Sequence, residues 1–156
     1  DVQEDAIFDR TAKTADGWLL ITHSGIVYEV TTEGAQINIS EPWDIVPEGE
    51  ESWRPGGLEF LSVHEDTGLV YVAMHEGPVD THHEPGEEIW VLNLHTQRRI
   101  LRAEMDPPSN SLMVTQETAP KLIVADDDGG THVYDAIKMT HERTIITPGA
   151  AMFEDF

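Results

Sequence analysis

The densest run of chemically able side chains lies between Met74 and Gly86, where His75, His82 and His83 stand among Glu76, Asp80 and Glu84. Imidazole nitrogens and carboxylate oxygens are the donors a divalent metal takes. Their spacing matches no zinc pattern, and the segment reads as a solvated loop, so no metal site is expected there. Asp126-Asp127-Asp128-Gly129-Gly130 is a second carboxylate cluster. A calcium loop of the EF-hand type places oxygen ligands at alternate positions with a distal glutamate. Here Gly130 occupies the third ligand position and a strand pattern follows, so a hairpin turn is expected instead. His64 and His132 fall on strand patterns beside acids, but no serine stands in a nucleophile-elbow context. No phosphate-cradling glycine loop precedes a helix. Arg98, Arg99 and Arg102 form the basic cluster. Strand alternation predicts Arg98 and Arg102 on one face, where they neutralise neighbouring acids. The residues themselves thus nominate no catalytic, cofactor-binding or metal-ligating set.

The elements that would position these groups are strands. A glycine-bounded apolar run from Gly17 to Gly25 is followed at once by Ile26-Val27-Tyr28-Glu29-Val30, a hairpin around Ser24-Gly25. A turn at Thr32 to Gly34 leads into a strand over 35–39, and a short strand is expected upstream at 5–9. The cycle recurs over 58–64, 69–74, 88–94 and 98–104, and again over 111–115, 121–125, 131–135 and 142–146. Three four-stranded units at a period of roughly fifty residues predict propeller blades rather than a β-sandwich. The expected organisation is a blade over 1–40, an inter-blade linker over 41–57, and blades over 58–105 and 106–156. Three blades do not close a ring. An all-β propeller of this size therefore needs further blades from another chain or from a segment outside this sequence.

Composition narrows the partners. The 156 residues carry 9 Lys plus Arg against 30 Asp plus Glu, a formal net charge of −21. That field opposes nucleic-acid phosphates and anionic membranes. The acids are spread along the whole chain, as on a solvated acidic surface that favours solubility, a salt-rich environment or transient docking of a positively charged protein. No apolar run is long enough to span a bilayer, so no membrane insertion is expected. No signal peptide is expected in this form, and a mature exported protein would look the same. Cysteine is absent, which excludes disulfides and thiol chemistry.

Glu41-Pro42-Trp43-Asp44, followed by Trp53-Arg54-Pro55-Gly56-Gly57, resembles a linker in the large subunit of the quinoprotein amine dehydrogenases, the methylamine and aromatic amine dehydrogenases. The continuation is similar to the same region: Val63-His64, then Gly68-Leu69-Val70-Tyr71-Val72-Ala73-Met74-His75, Thr81-His82-His83 and Pro85-Gly86-Glu87-Glu88-Ile89-Trp90-Val91. Asp128-Gly129-Gly130 and His132-Val133-Tyr134-Asp135 also fit. The resemblance implies the C-terminal blades of a seven-bladed heavy subunit, pairing with a small subunit that carries tryptophan tryptophylquinone. It further implies oxidation of a primary amine to aldehyde and ammonia in the periplasm, with electrons passed to a copper protein or a cytochrome. In that scheme this chain holds no cofactor and no catalytic residue. Trp43, Trp53, Arg54, Pro55, Gly56, Gly57, His75 and His82 are its expected structural or subunit-interface residues. Trp18, Trp43, Trp53 and Trp90 are expected to pack in the core or between blades rather than to become quinone. The alternative is a generic propeller scaffold for protein binding, with no redox role.

Overall fold

A computed structural model describes residues 8–78 and 84–146. All regular structure among them is β, and no helix is long and apolar enough to cross a membrane. The first sheet contains β1 (Phe8–Lys13), β2 (Gly17–Thr22), β3 (Ile26–Glu33) and β4 (Gln36–Ile39) in antiparallel order, with β5 (Trp43–Asp44) pairing the start of β3. Of the strand expected at 5–9, residues 8 and 9 belong to β1, which runs from Phe8 to Lys13 among the described residues; residues 1–7 lie outside the described set. β3 also continues through the turn expected at Thr32. Its pairs Thr32–Ile37 and Glu33–Gln36 carry the ladder to a tight turn at Gly34-Ala35, where Gly34 has φ +63°.

The middle unit is built on β8 (Leu69–Glu76) and β9 (Gly86–Asn93). Two short strands share the far side of β8: β7 (Leu61–His64) pairs its first half, and β6 (Trp53–Pro55) pairs its last three residues. The stretch expected to be only a linker thus contributes one strand to each neighbouring sheet. The next strand, β10 (Arg98–Val114), is continuous where two were expected. Its first half pairs β9, and its second half pairs β11 (Lys121–Asp126), which continues to β12 (Gly130–Asp135) and β13 (Thr140–Ile146). Ser109 is the hinge of this sharing: it is opposite Gly86 of β9 and Asp126 of β11.

The repeat is visible in turn chemistry. In the β9–β10 hairpin Asn93 Oδ1 accepts from the His95 and Thr96 amides, and Gln97 closes the turn with φ +57°. In the β12–β13 hairpin Asp135 Oδ1 accepts from the Ile137 and Lys138 amides, and Met139 closes it with φ +55°. An Asx side chain stands in for a backbone acceptor in both. Leu94 and Ala136, one residue on, are both buried.

One core joins the sheets. Leu19, Ile21 and Val27 from the first unit, Val70, Val72, Met74, Ile89, Trp90 and Leu92 from the second, and Leu122 and Val124 from the third are all at most 2% exposed. Polar links cross the same seams. The Tyr71 hydroxyl donates to the Ala136 carbonyl at 2.7 Å, and burial followed by the Asp135 charge pushes its pKa up to about 12. His64 is 1% exposed, and its Nε2 lies 2.8 Å from the Glu117 carbonyl, which can only accept. Nε2 therefore carries the proton, and Nδ1 takes a hydrogen bond from the Thr67 hydroxyl at 2.7 Å.

Tyr71→Phe removes one seam hydrogen bond and strands a buried carbonyl. The expected loss of unfolding free energy is about 1–3 kcal/mol, read by urea denaturation of the assembled protein. An unchanged midpoint would show that the Tyr71–Ala136 link adds nothing.

Candidate functional site

The segment from Trp43 to Gly57 binds itself to the middle sheet by three devices. The first is electrostatic. Trp53 and Trp90 lie with ring centroids 5.7 Å apart, tilted by 45°. The Arg99 guanidinium stands 4.4 Å from the Trp90 ring centroid, and Arg102 stands 5.0 Å from Trp53 and 5.4 Å from Trp90. Glu50, from the connecting segment, accepts from both arginines at 2.7–3.1 Å. Glu88 takes two hydrogen bonds from Arg102 and one from the Trp90 indole N–H. Bidentate arginine–carboxylate pairs resting on indole faces are the stronger members of their class. The Arg99 hydrogen bond holds the Glu50 carboxyl below its usual range; at Glu88 burial pulls upward, but Arg102 and Trp90 outweigh it and the net shift is downward.

This arrangement corrects the face assignment made from alternation. The register of β10 against β9 shifts between Arg99 and Leu101, so Arg99 stands opposite Leu92 and Arg102 opposite Trp90. Residues three apart therefore share a face, and Arg99, not Arg98, joins Arg102. The arginines do neutralise neighbouring acids.

The second device is close approach. A Cβ on Gly56 would lie 2.4 Å from the Glu84 carbonyl oxygen and 3.1 Å from His75 Cβ. Gly57 adopts φ +106°, with the Ser109 and Asn110 carbonyls close by. The third is burial of Arg54, which pairs in register with His75 and is 6% exposed, while its Nε has no hydrogen-bond partner among the described residues. Pro55 is buried beside it. Trp43 is half-buried and donates from its indole N–H to Glu29 at 3.3 Å.

His75 is buried at 4% and its Nδ1 lies 3.6 Å from Glu87. With Glu76, Glu84, Glu87 and Asp127 it lines an open depression of about 450 Å³. His82 and His83 lie outside the described residues. Among the described residues no group of three or more His, Asp or Glu side chains is placed to hold a metal ion. The Asp126 carboxylate acts within its hairpin, accepting from the Asp128 and Gly130 amides at 2.9 and 2.8 Å.

Two faces of the stack are left uncovered by the described residues. On the third sheet Met113, Ile123 and Val133 form one cross-strand row, with Met113 54% exposed and Ile145 exposed nearby. On the first sheet Trp18, Val30 and Ile39 form another. Trp18, expected in packing, is 48% exposed, because among the described residues no strand lies against that face. Their strand neighbours of opposite parity, Leu19 and Leu112, are buried. Both rows were legible as alternation; which face lacks a neighbour was not.

A family model described as methylamine dehydrogenase heavy chain matches residues 5–151. The chain is 28% identical over 129 residues to the methylamine dehydrogenase heavy chain of Paracoccus versutus, covering 80% of this chain and 30% of that one. To the heavy chain of Methylobacillus flagellatus it is 22% identical over 112 residues, covering 70% and 28%. The chain spans less than a third of the length of these curated relatives. Among solved structures, Kuenenia stuttgartiensis hydrazine synthase superposes with a TM-score of 0.61 at 14% identity, covering 94% of this chain and 38% of that one. BamB from Moraxella catarrhalis superposes at 0.59 and 17% identity, again covering 94% and 38%. Likeness at this identity shows the fold, a β-propeller left open.

Gly56→Val drives a branched side chain into the Glu84 carbonyl and costs about 2 kcal/mol or more, measured as a lowered denaturation midpoint of the assembled protein. A midpoint like that of wild type would mean the strand steps aside freely. Glu50 adds a pH-dependent share of stability. Its folded pKa is depressed, so that share is present above the ordinary glutamate range and is lost as pH falls through the lower folded value. Glu50→Gln should therefore narrow its deficit against wild type on acidification. A deficit constant from pH 7 to pH 3 would show that the charge is idle.

Proposed function

The chain belongs to the methylamine dehydrogenase heavy chain family, and from that footing we propose that it is the blade-bearing part of an amine dehydrogenase heavy subunit. It supplies scaffold and interface, while the quinone, tryptophan tryptophylquinone, is carried by a separate small subunit. The reaction of the whole assembly is oxidation of a primary amine to aldehyde and ammonia in the periplasm, with electrons leaving to a copper protein or a cytochrome. The observation that carries this reading is the family match along nearly the whole chain, joined to two open apolar sheet faces that ask for further blades. Those blades come from the remainder of the heavy subunit or from a separate chain.

In this reading the residues of this chain bind and orient rather than react. The Glu50–Arg99–Arg102–Trp53 clamp fixes the path of the segment that enters the middle sheet. Trp43, Trp53, Arg54, Pro55, Gly56, Gly57, His75 and His82 act as structural or interface residues. The chain's acidity steers a basic electron acceptor, with salt weakening the approach over a Debye length of about 10 Å at 0.1 M.

The test is where the cofactor resides. Native assembly should oxidise a primary amine with an artificial acceptor, and quinone staining should follow a smaller polypeptide after denaturing separation. Peptide mass spectra of this chain should show Trp18, Trp43, Trp53 and Trp90 unmodified. Oxidised or cross-linked tryptophan here would end the scaffold assignment. Native material without any quinone-bearing partner would leave the generic scaffold in its place.

A further inference from the structure

The outer rim of the last sheet gathers a carboxylate, two imidazoles and a hydroxyl; Asp126 Oδ1 serves the β11–β12 hairpin, while its Oδ2 and the other three groups have no part in the clamp. Asp126 ends β11, His132 and Tyr134 lie on β12, and His141 and Thr144 lie on β13. Strict alternation would put residues 141 and 144 on opposite faces. The β12–β13 register shifts between Val133 and Tyr134, so His132 faces Thr144 while Tyr134 faces His141. The bulge thereby turns His132, Tyr134, His141 and Thr144 to one side, a known use of bulges in re-aiming side chains.

The protonation pattern follows from the partners. Asp126 Oδ2 lies 2.6 Å from His132 Nε2, and its side chain is 4% exposed. Asp126 Oδ1 also accepts from the Asp128 and Gly130 amides at 2.9 and 2.8 Å, the setting of a carboxylate that acts only as acceptor. A carboxylate only accepts, so His132 Nε2 carries the proton and Nδ1 presents a lone pair. That lone pair meets His141 Nε2 at 3.3 Å and Thr144 Oγ1 at 3.1 Å, while His141 Nε2 and Thr144 Oγ1 are 2.9 Å apart.

The 3.3 Å separation of the two ring nitrogens is at the long end of hydrogen-bond range. It is the spacing of two ligands on one tetrahedral ion: metal–nitrogen distances of about 2.0–2.1 Å set the ligands about 3.3–3.4 Å apart. The carboxylate behind His132 is the partner that fixes a metal-binding imidazole's tautomer and raises its basicity. Tyr134 stands edge-on to His141, ring centroids 5.3 Å apart, and limits its rotation. His141 and Thr144 are exposed, so solvent can complete the coordination.

We propose that His132 Nδ1 and His141 Nε2 together bind one divalent transition ion of the zinc and copper class, with Asp126 as the orienting carboxylate and Thr144 Oγ1 beside the ion. Two imidazoles and a hydroxyl select this class over calcium or magnesium, which take carboxylate and carbonyl oxygens. Bound there, the ion ties β13 to β12 at the end of the sheet.

The native protein carrying this chain, stripped with chelator, is titrated with Zn²⁺ against a chromophoric competitor and with Co²⁺ by visible absorption. One equivalent per chain is expected, lost in His141→Ala and in His132→Ala and weakened about 10–100-fold in Asp126→Asn. The loop variant His83→Ala should retain it. Nitrogen NMR of the wild-type imidazoles, which needs no variant, should show His132 Nδ1 and His141 Nε2 shifting together on Zn²⁺ addition. Binding that survives His141→Ala, binding that vanishes in His83→Ala, or imidazole nitrogens unmoved by zinc would each overturn the site and leave a hydrogen-bonded cluster.

Discussion

A strand side chain has two directions to choose from, and in a blade both lead to another sheet. That constraint governs the molecule. The middle sheet satisfies it on both sides: Val72, Met74 and Trp90 on one face and Tyr71, Ala73 and Ile89 on the other are all at most 1% exposed. The outer sheets satisfy it on one side only, so Leu19 is sealed while Trp18 stands half in solvent. Each fully buried large apolar side chain is worth about 1.5–3 kcal/mol relative to exposure. Further blades laid on the Trp18 and Met113 rows would therefore add stability of the same kind that already joins the three units.

Two departures from the two-residue period make the chemistry local. In β10 the shift at Arg99–Leu101 gathers two guanidinium groups over two indoles; in β12–β13 the shift at Val133–Tyr134 gathers two imidazoles over a hydroxyl. In both, residues three apart in sequence come to one face. A sheet with perfect alternation would scatter these groups to opposite sides, where like charges would be held apart and their acids left with single partners.

Most of the architecture was legible in the chain because it rests on local rules. Alternation at 69–74 and 121–125, the Asx-initiated turns at Asn93 and Asp135, and the glycines at 25, 34 and 129 each encode their own conformation within a few residues. The family likeness was legible too, through Trp43, Trp53-Arg54-Pro55-Gly56-Gly57 and the run from Gly68 to His75. What escaped was non-local. The pairing of Trp53–Pro55 with the end of β8 depends on a strand about twenty residues away. The bulges depend on cross-strand register, which no single strand's pattern contains, so Arg98 was placed where Arg99 stands. His132 was visible as a histidine beside acids, but its meeting with His141 required the register shift.

The shared strand β10 has a mechanical meaning. The first unit joins the second through the 45–52 segment, which Glu50 ties to Arg99 and Arg102, whereas the second and third units share β10, which pairs β9 up to Ser109 and β11 beyond it. Fraying one end withdraws the support on which the other end's ladder is registered at Ser109. Because β10 spans both, the second and third units are expected to open to solvent together, with similar amide-exchange rates across Val91 and Ile123.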